Sequence, residues 1–394
     1  MIARFAGMGI SEIIVFCYGD SRKLATWSNV PYLFTSTLEN KGITVHRVDI
    51  LPPTAFRKWY NAVVWRLYRF IFRGTQSNDL RSLLCKKIVE KRIRRAVRQF
   101  NSADYCLFFG FDYFNRFSSI PTILFGDWTL EIYLKDRLKK KGTDILERRF
   151  IRQQNTAIAN ASLVISLFPD AAAAIKDAVP GANVHYLGTN VVNNASLKDY
   201  PQTELLSKKR DSKTILFIGG RNYLSGAELL ISAFRTFNKA RQNAYTLSIV
   251  GLDKEDIAAD PADNIHLYGY LDKADAADND QYYRLLSEAK VIINPTEHWA
   301  GYSSIIEAMF YYTPVIVSPF SSFKAEFGDT LSFGKYFTGK QADALAECIQ
   351  EIIESPRYPE QCIAAHNAVK DYTWDNFIHR LLQLAEDDPT RNTR

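Results

Sequence analysis

The chain has no cysteine pairs. Cys17, Cys85, Cys106, Cys348 and Cys362 are odd in number, scattered, and never in a CxxC arrangement. That pattern excludes a disulfide frame or a zinc site and reads as reduced thiols filling core space. Long apolar runs are missing too. Arg or Gly interrupts each one well short of the roughly 18 residues that suggest a membrane span. The opening "MIARFAGMGISEIIVF" has neither the h-region nor the small-residue cleavage site of a secretory signal, so a cytoplasmic location is expected. There is no low-complexity tract, and 47% hydrophobic against 23% charged residues is a globular balance. No His/Asp ligand set suggests a metal, and no RRM, KH, HTH or zinc-finger signature supports a nucleic-acid partner.

What is present is charge in one place. The formal total is +6, yet residues 57–98 hold 13 Lys/Arg against only Asp79 and Glu90. That is +11 locally and leaves about −5 for the rest, so the partner of the basic segment is expected to be negative. At 394 residues the chain is too long for one ordinary core, and two domains are expected.

Short β-branched and aromatic runs alternate with helical stretches. The first series of candidate strands is Glu12–Tyr18, Ile43–Asp49, Ala103–Gly110, Thr122–Phe125, Ser162–Leu167 and Asn183–Leu187. The second is Thr214–Gly219, Thr246–Gly251, Asn264–Leu267, Val291–Asn294 and Pro314–Ser318. Near-continuous apolar strands separated by helices mean parallel sheets covered on both faces. The polar stretch 190–212 ends the first series and is expected to be a linker. Ligands of such sheets bind outside the carboxyl ends of the strands, which singles out the loops after Tyr18, Phe109, Phe125, Gly219, Asn294 and Val317.

One of those loops opens "PTEHWAGYSSIIEAMFYYTPVIVSP", Pro295 to Pro319. Ser304 and Glu307 fit a capping box, in which the glutamate reaches back to the cap's amide. The same geometry serves a different purpose if free amides and the helix dipole at Ser303-Ser304 hold a diphosphate. Glu307, beside that anion, could then accept hydrogen bonds from two ribose hydroxyls. Both readings stand on sequence.

Residues 213–320 resemble the C-terminal half of the retaining GT-B glycosyltransferases of family 4. The resemblance is carried by "KTILFIGGRNYLSGAELLISAF", "YRLLSEAKVIINPT" and "IIEAMFYYTPVIVSP". It implies a GT-B fold, α/β, with two Rossmann-like doubly wound parallel-sheet domains facing across a cleft. The expected boundaries are 1–189 for an acceptor domain, 190–212 for a linker and 213–371 for a nucleotide-sugar domain. Residues 372–394 would be a C-terminal helix crossing back to the first domain. The family has two glutamates eight apart, and Glu307 matches the second, which binds the nucleotide ribose. The first, a donor-sugar contact, falls on Trp299, with Glu297 two residues earlier. Arg221, after Gly219-Gly220, matches an arginine that neutralises the leaving diphosphate, but Ser225-Gly226 stands where the family has Lys-Gly. By sequence, Lys239 is the nearest replacement. Donor binding is thus expected at Gly219, Gly220, Arg221, Trp299, Gly301, Tyr302, Ser303, Ser304 and Glu307.

The first half resembles the family by layout. Gly19, Asp20, Thr26, Trp27 and Ser28, after the first strand, would border the donor phosphates and the acceptor. The plain alternative is a turn with Trp27 packed beneath it. Gly126-Asp127 stands where many members carry a histidine facing the donor sugar. Asp127 is therefore the first-half side chain expected near the reacting centre, or else a helix N-cap. With Glu297 and Arg221 it completes the expected catalytic set. The resemblance implies front-side transfer, in which the donor's own phosphate oxygen takes the acceptor's proton and neither metal nor other cofactor is needed.

"RKWYNAVVWRLYRFIFRG" spaces Arg66, Arg69 and Arg73 on one helix face, with Val64, Leu67, Tyr68 and Ile71 roughly opposite. Such a helix lies in a membrane interface, though the same aromatics could be core. Taken together, the expectation is a cytoplasmic enzyme peripheral to the inner face of the membrane. It would transfer a sugar from a UDP- or GDP-linked donor to a glycan or lipid-linked acceptor in surface polysaccharide or glycolipid assembly. A nucleotide-sugar epimerase of the same fold and a catalytically silent assembly scaffold are the alternatives.

Overall fold

The structure is a computed structural model and describes residues 9–188, 201–258, 263–297 and 302–389. The chain divides into two compact units, Met1–Thr189 with Trp374–Arg394, and Asn190–Thr373. The first unit contains β1 (Glu12–Cys17), β2 (Thr44–Asp49), β3 (Tyr105–Phe109), β4 (Thr122–Gly126), β5 (Leu163–Ser166) and β6 (Val184–Tyr186). All pair in parallel in the order β2-β1-β3-β4-β5-β6. The second unit contains β7 (Thr214–Ile218), β8 (Thr246–Val250), β9 (Ile265–Leu267), β10 (Ala289–Asn294), β11 (Val315–Val317) and β12 (Gly334–Tyr336). These are also all parallel, in the order β12-β11-β10-β7-β8-β9.

Both sheets are doubly wound. Strand order reverses between β1 and β3 in the first and between β7 and β10 in the second. The loops leaving those strands at their carboxyl ends therefore diverge to opposite faces and leave a crevice, the usual place for a ligand. β10 shows why the strands read clearly in sequence: all six of its residues are buried, as helices on both faces of a parallel sheet require.

Two features differ from the sequence expectation. β12 was absent from the candidate strands because Gly-Lys-Tyr has no apolar run; it exists through pairing with β11. The approach is close, and a Cβ on Gly334 would lie 2.1 Å from the Val315 carbonyl oxygen. Within the stretch expected as a linker, Gln202–Asp211 is a helix of the second unit. Its Lys209 is fully buried and donates at 2.7 Å to both the Leu286 carbonyl and the Thr313 hydroxyl. Polar composition hid this element, because the helix anchors itself through a satisfied lysine as well as through Leu205.

The helix Trp374–Glu386 belongs to the first unit. Phe377 packs edge-on to Phe125 at 5.5 Å between ring centroids, and Trp374 to Phe34 at 5.9 Å. The buried Tyr105 hydroxyl donates to the Ala385 carbonyl at 2.7 Å. Aromatic burial and a satisfied polar tip together fix this helix on the sheet.

Candidate active site

In the second unit, three elements converge on Glu307. The helix Ser303–Phe310 carries it, the loop after β9 supplies Lys273, and the helix Ala276–Glu288 supplies Tyr282. Lys273 Nζ lies 3.1 and 3.2 Å from the two carboxylate oxygens, and the Tyr282 hydroxyl donates to Oε2 at 2.5 Å. The Lys273 ammonium also sits 4.1 Å from the centre of the Tyr282 ring. Burial first, and the adjacent Glu307 charge second, push the Tyr282 hydroxyl well above its ordinary range, so it remains a donor. A carboxylate has about four acceptor sites, so Glu307 keeps capacity for a further donor.

This arrangement removes the capping-box reading. The residue that caps the helix is Tyr302, with no side-chain cap bond, and Glu307 is turned to Lys273 and Tyr282 instead. The first bond of the helix runs from the Ile306 amide to the Tyr302 carbonyl. The amides of Ser303, Ser304 and Ile305 thus precede any intrahelical acceptor and form the electropositive end of the helix dipole. Ser303 is exposed and Ser304 half-buried, so that end is open.

Several residues expected at the donor site stand elsewhere. Tyr302 is fully buried with its ring edge-on to Phe323 at 5.2 Å, so its side chain belongs to the core. Glu297 is exposed and pairs with Lys340 at 3.0 Å. Trp299 and Gly301 lie outside the described residues. Lys239 ends the helix Leu224–Lys239, some 14 residues beyond Ser225 or roughly 21 Å along the axis, too far to replace the missing lysine.

Arg221 follows β7 in a single 3-10 turn and pairs with Asp256, which comes from the loop after β8. The arginine is 75% exposed, so the pair is weak and readily exchanged for a stronger anion. Gly219 and Gly220 form a tight backbone corner. A Cβ on Gly219 would meet Tyr223 at 2.9 Å, and one on Gly251, whose φ is +95°, would lie 2.8 Å from the Gly219 carbonyl oxygen. Gly226 has a comparable role, since a Cβ there would fall 2.1 Å from Thr296 Oγ1. The helix start at Leu224 is thereby seated on the loop that leaves β10, across the switch point of this sheet.

In the first unit the loop after β1 is strained. Trp27, Ser28 and Asn29 take successive φ values of 40°, 52° and 64°, each of order 1–3 kcal/mol unfavourable for a residue with a side chain. The Trp27 ring packs edge-on to Phe109 at 5.8 Å and Phe125 at 6.1 Å, at the ends of β3 and β4. Gly19 donates its amide to Asp49 Oδ1, and Thr26 binds the Asp20 carbonyl at 2.6 Å. These bonds hold the loop over the carboxyl edge.

Asp127 follows β4. It is not an N-cap, because Thr129 caps the turn that follows. Its Oδ1 accepts the Trp128 amide at 2.7 Å. Burial raises its pKa above the usual carboxylate range, and the Asp112 charge adds to the effect. Asp112, from the loop after β3, is likewise raised by burial, although Gln154 donates to it at 2.8 Å. Sequence reading missed Asp112, although it follows one of the strands whose loops were singled out.

The basic stretch forms the helices Thr54–Tyr60 and Arg66–Ile71, joined by a π-helical turn at Asn61–Trp65. The extra residue of that turn shifts the helical phase. Trp59, Val63, Leu67, Phe70 and Ile71 are exposed, Phe70 by 80%, whereas Val64 and Tyr68 are half-buried. Arg66 and Arg69 are exposed on the helix, but Arg73 lies beyond its end, not on its face. Among the described residues no helix is long and apolar enough to cross a membrane.

Comparison with known proteins agrees with this geometry. Residues 202–371 match the family model described as Glycosyl transferases group 1. No curated protein matches the chain by sequence. Among solved structures, sucrose-phosphate synthase from Thermosynechococcus elongatus superposes with a TM-score of 0.65 at 16% identity, covering 96% of this chain and 98% of that one. WaaG, a glycosyltransferase involved in lipopolysaccharide biosynthesis, gives 0.63 at 11% identity, covering 95% and 99%. HepE from Anabaena, solved with UDP and glucose, gives 0.56 at 14% identity, covering 94% and 99%. The chain has a GT-B fold, and its second unit is similar to the glycosyl transferases group 1 family over residues 202–371.

Proposed function

We propose that the chain transfers a sugar, with retention, from a nucleotide diphosphate sugar to a glycan or lipid-linked acceptor at a membrane surface. The observation that carries this reading is a fixed carboxylate, Glu307, beside an uncapped helix start at the β7/β10 switch point. The amides of Ser303 and Ser304 suit a diphosphate, and Arg221 can leave Asp256 to neutralise it. Glu307, held in place by Lys273 and Tyr282, accepts the ribose hydroxyls. UDP in the HepE structure favours a uridine donor. In the first unit Asp127 and Asp112 line the acceptor side, with the Trp27 loop beside them. No metal or protein nucleophile is assigned, because a front-side route uses the donor phosphate as base. The exposed apolar stripe from Trp59 to Ile71, with Arg66 and Arg69, rests in an anionic membrane interface.

Thermal stability measured with UDP, GDP and ADP tests the donor half. Ligand at 100 times its dissociation constant stabilises by about 2.7 kcal/mol, which is readily seen as a shift in Tm. The expected result is a shift with UDP or GDP that disappears in Glu307→Ala, followed by slow hydrolysis of the matching nucleotide sugar. A flat response to all three nucleotides contradicts the reading.

A further inference from the structure

The first unit contains two adjoining concavities. One, of about 330 Å³, is lined by Lys86, Arg116, Arg149 and Arg152 against only Glu90 and Asp112. The other, of about 510 Å³, shares Leu83, Lys86, Glu90 and Arg149 with it and adds Tyr60, Val64, Tyr68 and Leu84. Both carry cations, and the larger, which also includes Ser82 and Lys87, adds an aromatic and aliphatic wall.

The charges within them are unbalanced. Glu90 is taken by Arg116 at 2.7 Å and Lys86 at 3.9 Å. Asp112 is engaged by Gln154. Among the described residues neither Arg149 nor Arg152 has a carboxylate partner; Arg149 donates only to the Arg81 carbonyl. The buried Tyr113 hydroxyl, on the wall of the smaller cavity, is turned to Tyr18 and Cys85, which leaves the two arginines as the open polar groups of that wall. The apolar wall of the larger cavity runs along Tyr60, Val64 and Tyr68, which lie on the inner side of the helix whose outer face exposes Trp59, Val63 and Phe70.

We propose that these joined cavities hold the phosphate head and first chain segment of a membrane lipid carrier, with the head at Arg149 and Arg152. This rests on the glycosyl-transfer reading and names its acceptor class: a lipid phosphomonoester or diphosphate. Planar guanidinium groups bind phosphate oxygens in pairs, which suits the two arginines. Lys86 and Arg116 are held at Glu90, so Arg149 and Arg152 remain for the head, and two cations suit a head carrying two charges better than a phosphodiester, which carries one. The chain lies against Tyr60, Val64, Tyr68 and Leu84, where it joins the interface-seated helix. Asp112 belongs both to this cavity and to the carboxyl edge of the first sheet, so the bound head stands beside the acceptor side of the site.

Sedimentation with phosphatidylcholine vesicles tests this. One set carries a few mole per cent of polyprenyl phosphate, the other phosphatidylglycerol at matched surface charge. Wild-type protein is expected to partition about tenfold more strongly onto the polyprenyl phosphate vesicles. Arg149→Gln with Arg152→Gln should erase that preference while keeping phosphatidylglycerol binding and the UDP-induced Tm shift. Arg152→Gln alone, at an exposed position, should reduce it and keeps the test valid if the double variant does not fold. Equal binding to the two vesicle types, or a preference surviving in both variants, overturns the proposal. So does inorganic pyrophosphate raising Tm as much as a short-chain polyprenyl phosphate, since the groove would then contribute nothing. Lost UDP binding with the lipid preference intact would instead count against the nucleotide-sugar reading alone.

Discussion

Lys273 and Glu307 are 34 residues apart in sequence, yet the lysine ammonium contacts both oxygens of the glutamate carboxylate. The lysine side chain is 19% exposed and the carboxylate 9%, so this pair is far less screened than a surface ion pair. On the proposed reading it places a cation beside the donor in a chain that has Ser225 where the family pattern has lysine. We read it as a positioning pair: Lys273 fixes the carboxylate, and the carboxylate meets the ligand.

Lys273→Met should therefore cost about 1–3 kcal/mol of stability, since Glu307 would keep only the Tyr282 bond. Lys340→Met, which removes the exposed partner of Glu297, should stay within about 0.5 kcal/mol. Urea denaturation of the two variants makes the comparison, and equal losses would contradict the assignment.

Arg221→Ala should leave stability almost unchanged, because its pair with Asp256 is exposed on the arginine side. Its effect should fall on nucleotide binding. Loss of a charge-assisted bond to phosphate weakens affinity by about tenfold or more, read by calorimetric titration with UDP and, as a control, uridine. Uridine, lacking phosphate, should bind both proteins alike.

How much of this was legible beforehand depends on where each signal lived. The strands were legible because a parallel sheet buried on both faces demands continuous apolar runs, as in β10. Glu307 and Arg221 were singled out by the family resemblance and by loops that follow strands at the switch point, and the structure places both residues after those strands. Lys273 was not, since its partner is distant in sequence and the loop after β9 carries no pattern of its own. Tyr302 was expected among the donor-binding residues, but its place in the sequence does not decide which way its ring points, and the ring is buried against Phe323. Gln202–Asp211 was mistaken for linker because polar composition conceals a lysine that is buried and satisfied.

Lys209 gives a pH signature. Burial lowers its pKa from 10.5 to about 7. Between those values the unfolded chain binds a proton that the folded chain does not, so stability rises with pH through that window. Below about pH 7 both states are protonated and the burial penalty is fully present. The slope should approach 1.4 kcal/mol per pH unit and be absent in Lys209→Met. Urea midpoints of the two proteins between pH 7 and 9.5 check the sign; a wild-type slope no steeper than the variant's would contradict it.

The exposed stripe makes a separate prediction. Basic residues near an anionic surface contribute about 1 kcal/mol each, so Arg66, Arg69 and Arg73 together should account for roughly a hundredfold in partitioning. Wild-type protein is expected to sediment with phosphatidylglycerol vesicles and to be released by salt. Reversing the three charges to glutamate, or replacing Leu67 and Phe70 by serine, should abolish sedimentation without changing the UDP-induced Tm shift.

The central claim is that the Glu307 carboxylate clasps the ribose of a nucleotide, and titration calorimetry with UDP and 2′,3′-dideoxy-UDP addresses it most directly. The account predicts that wild-type protein binds UDP at least about tenfold more tightly than the dideoxy form, because hydrogen bonds to a charged group contribute roughly 1.5–3 kcal/mol. It also predicts that Glu307→Ala binds the two alike. Wild-type protein that does not distinguish them would contradict it.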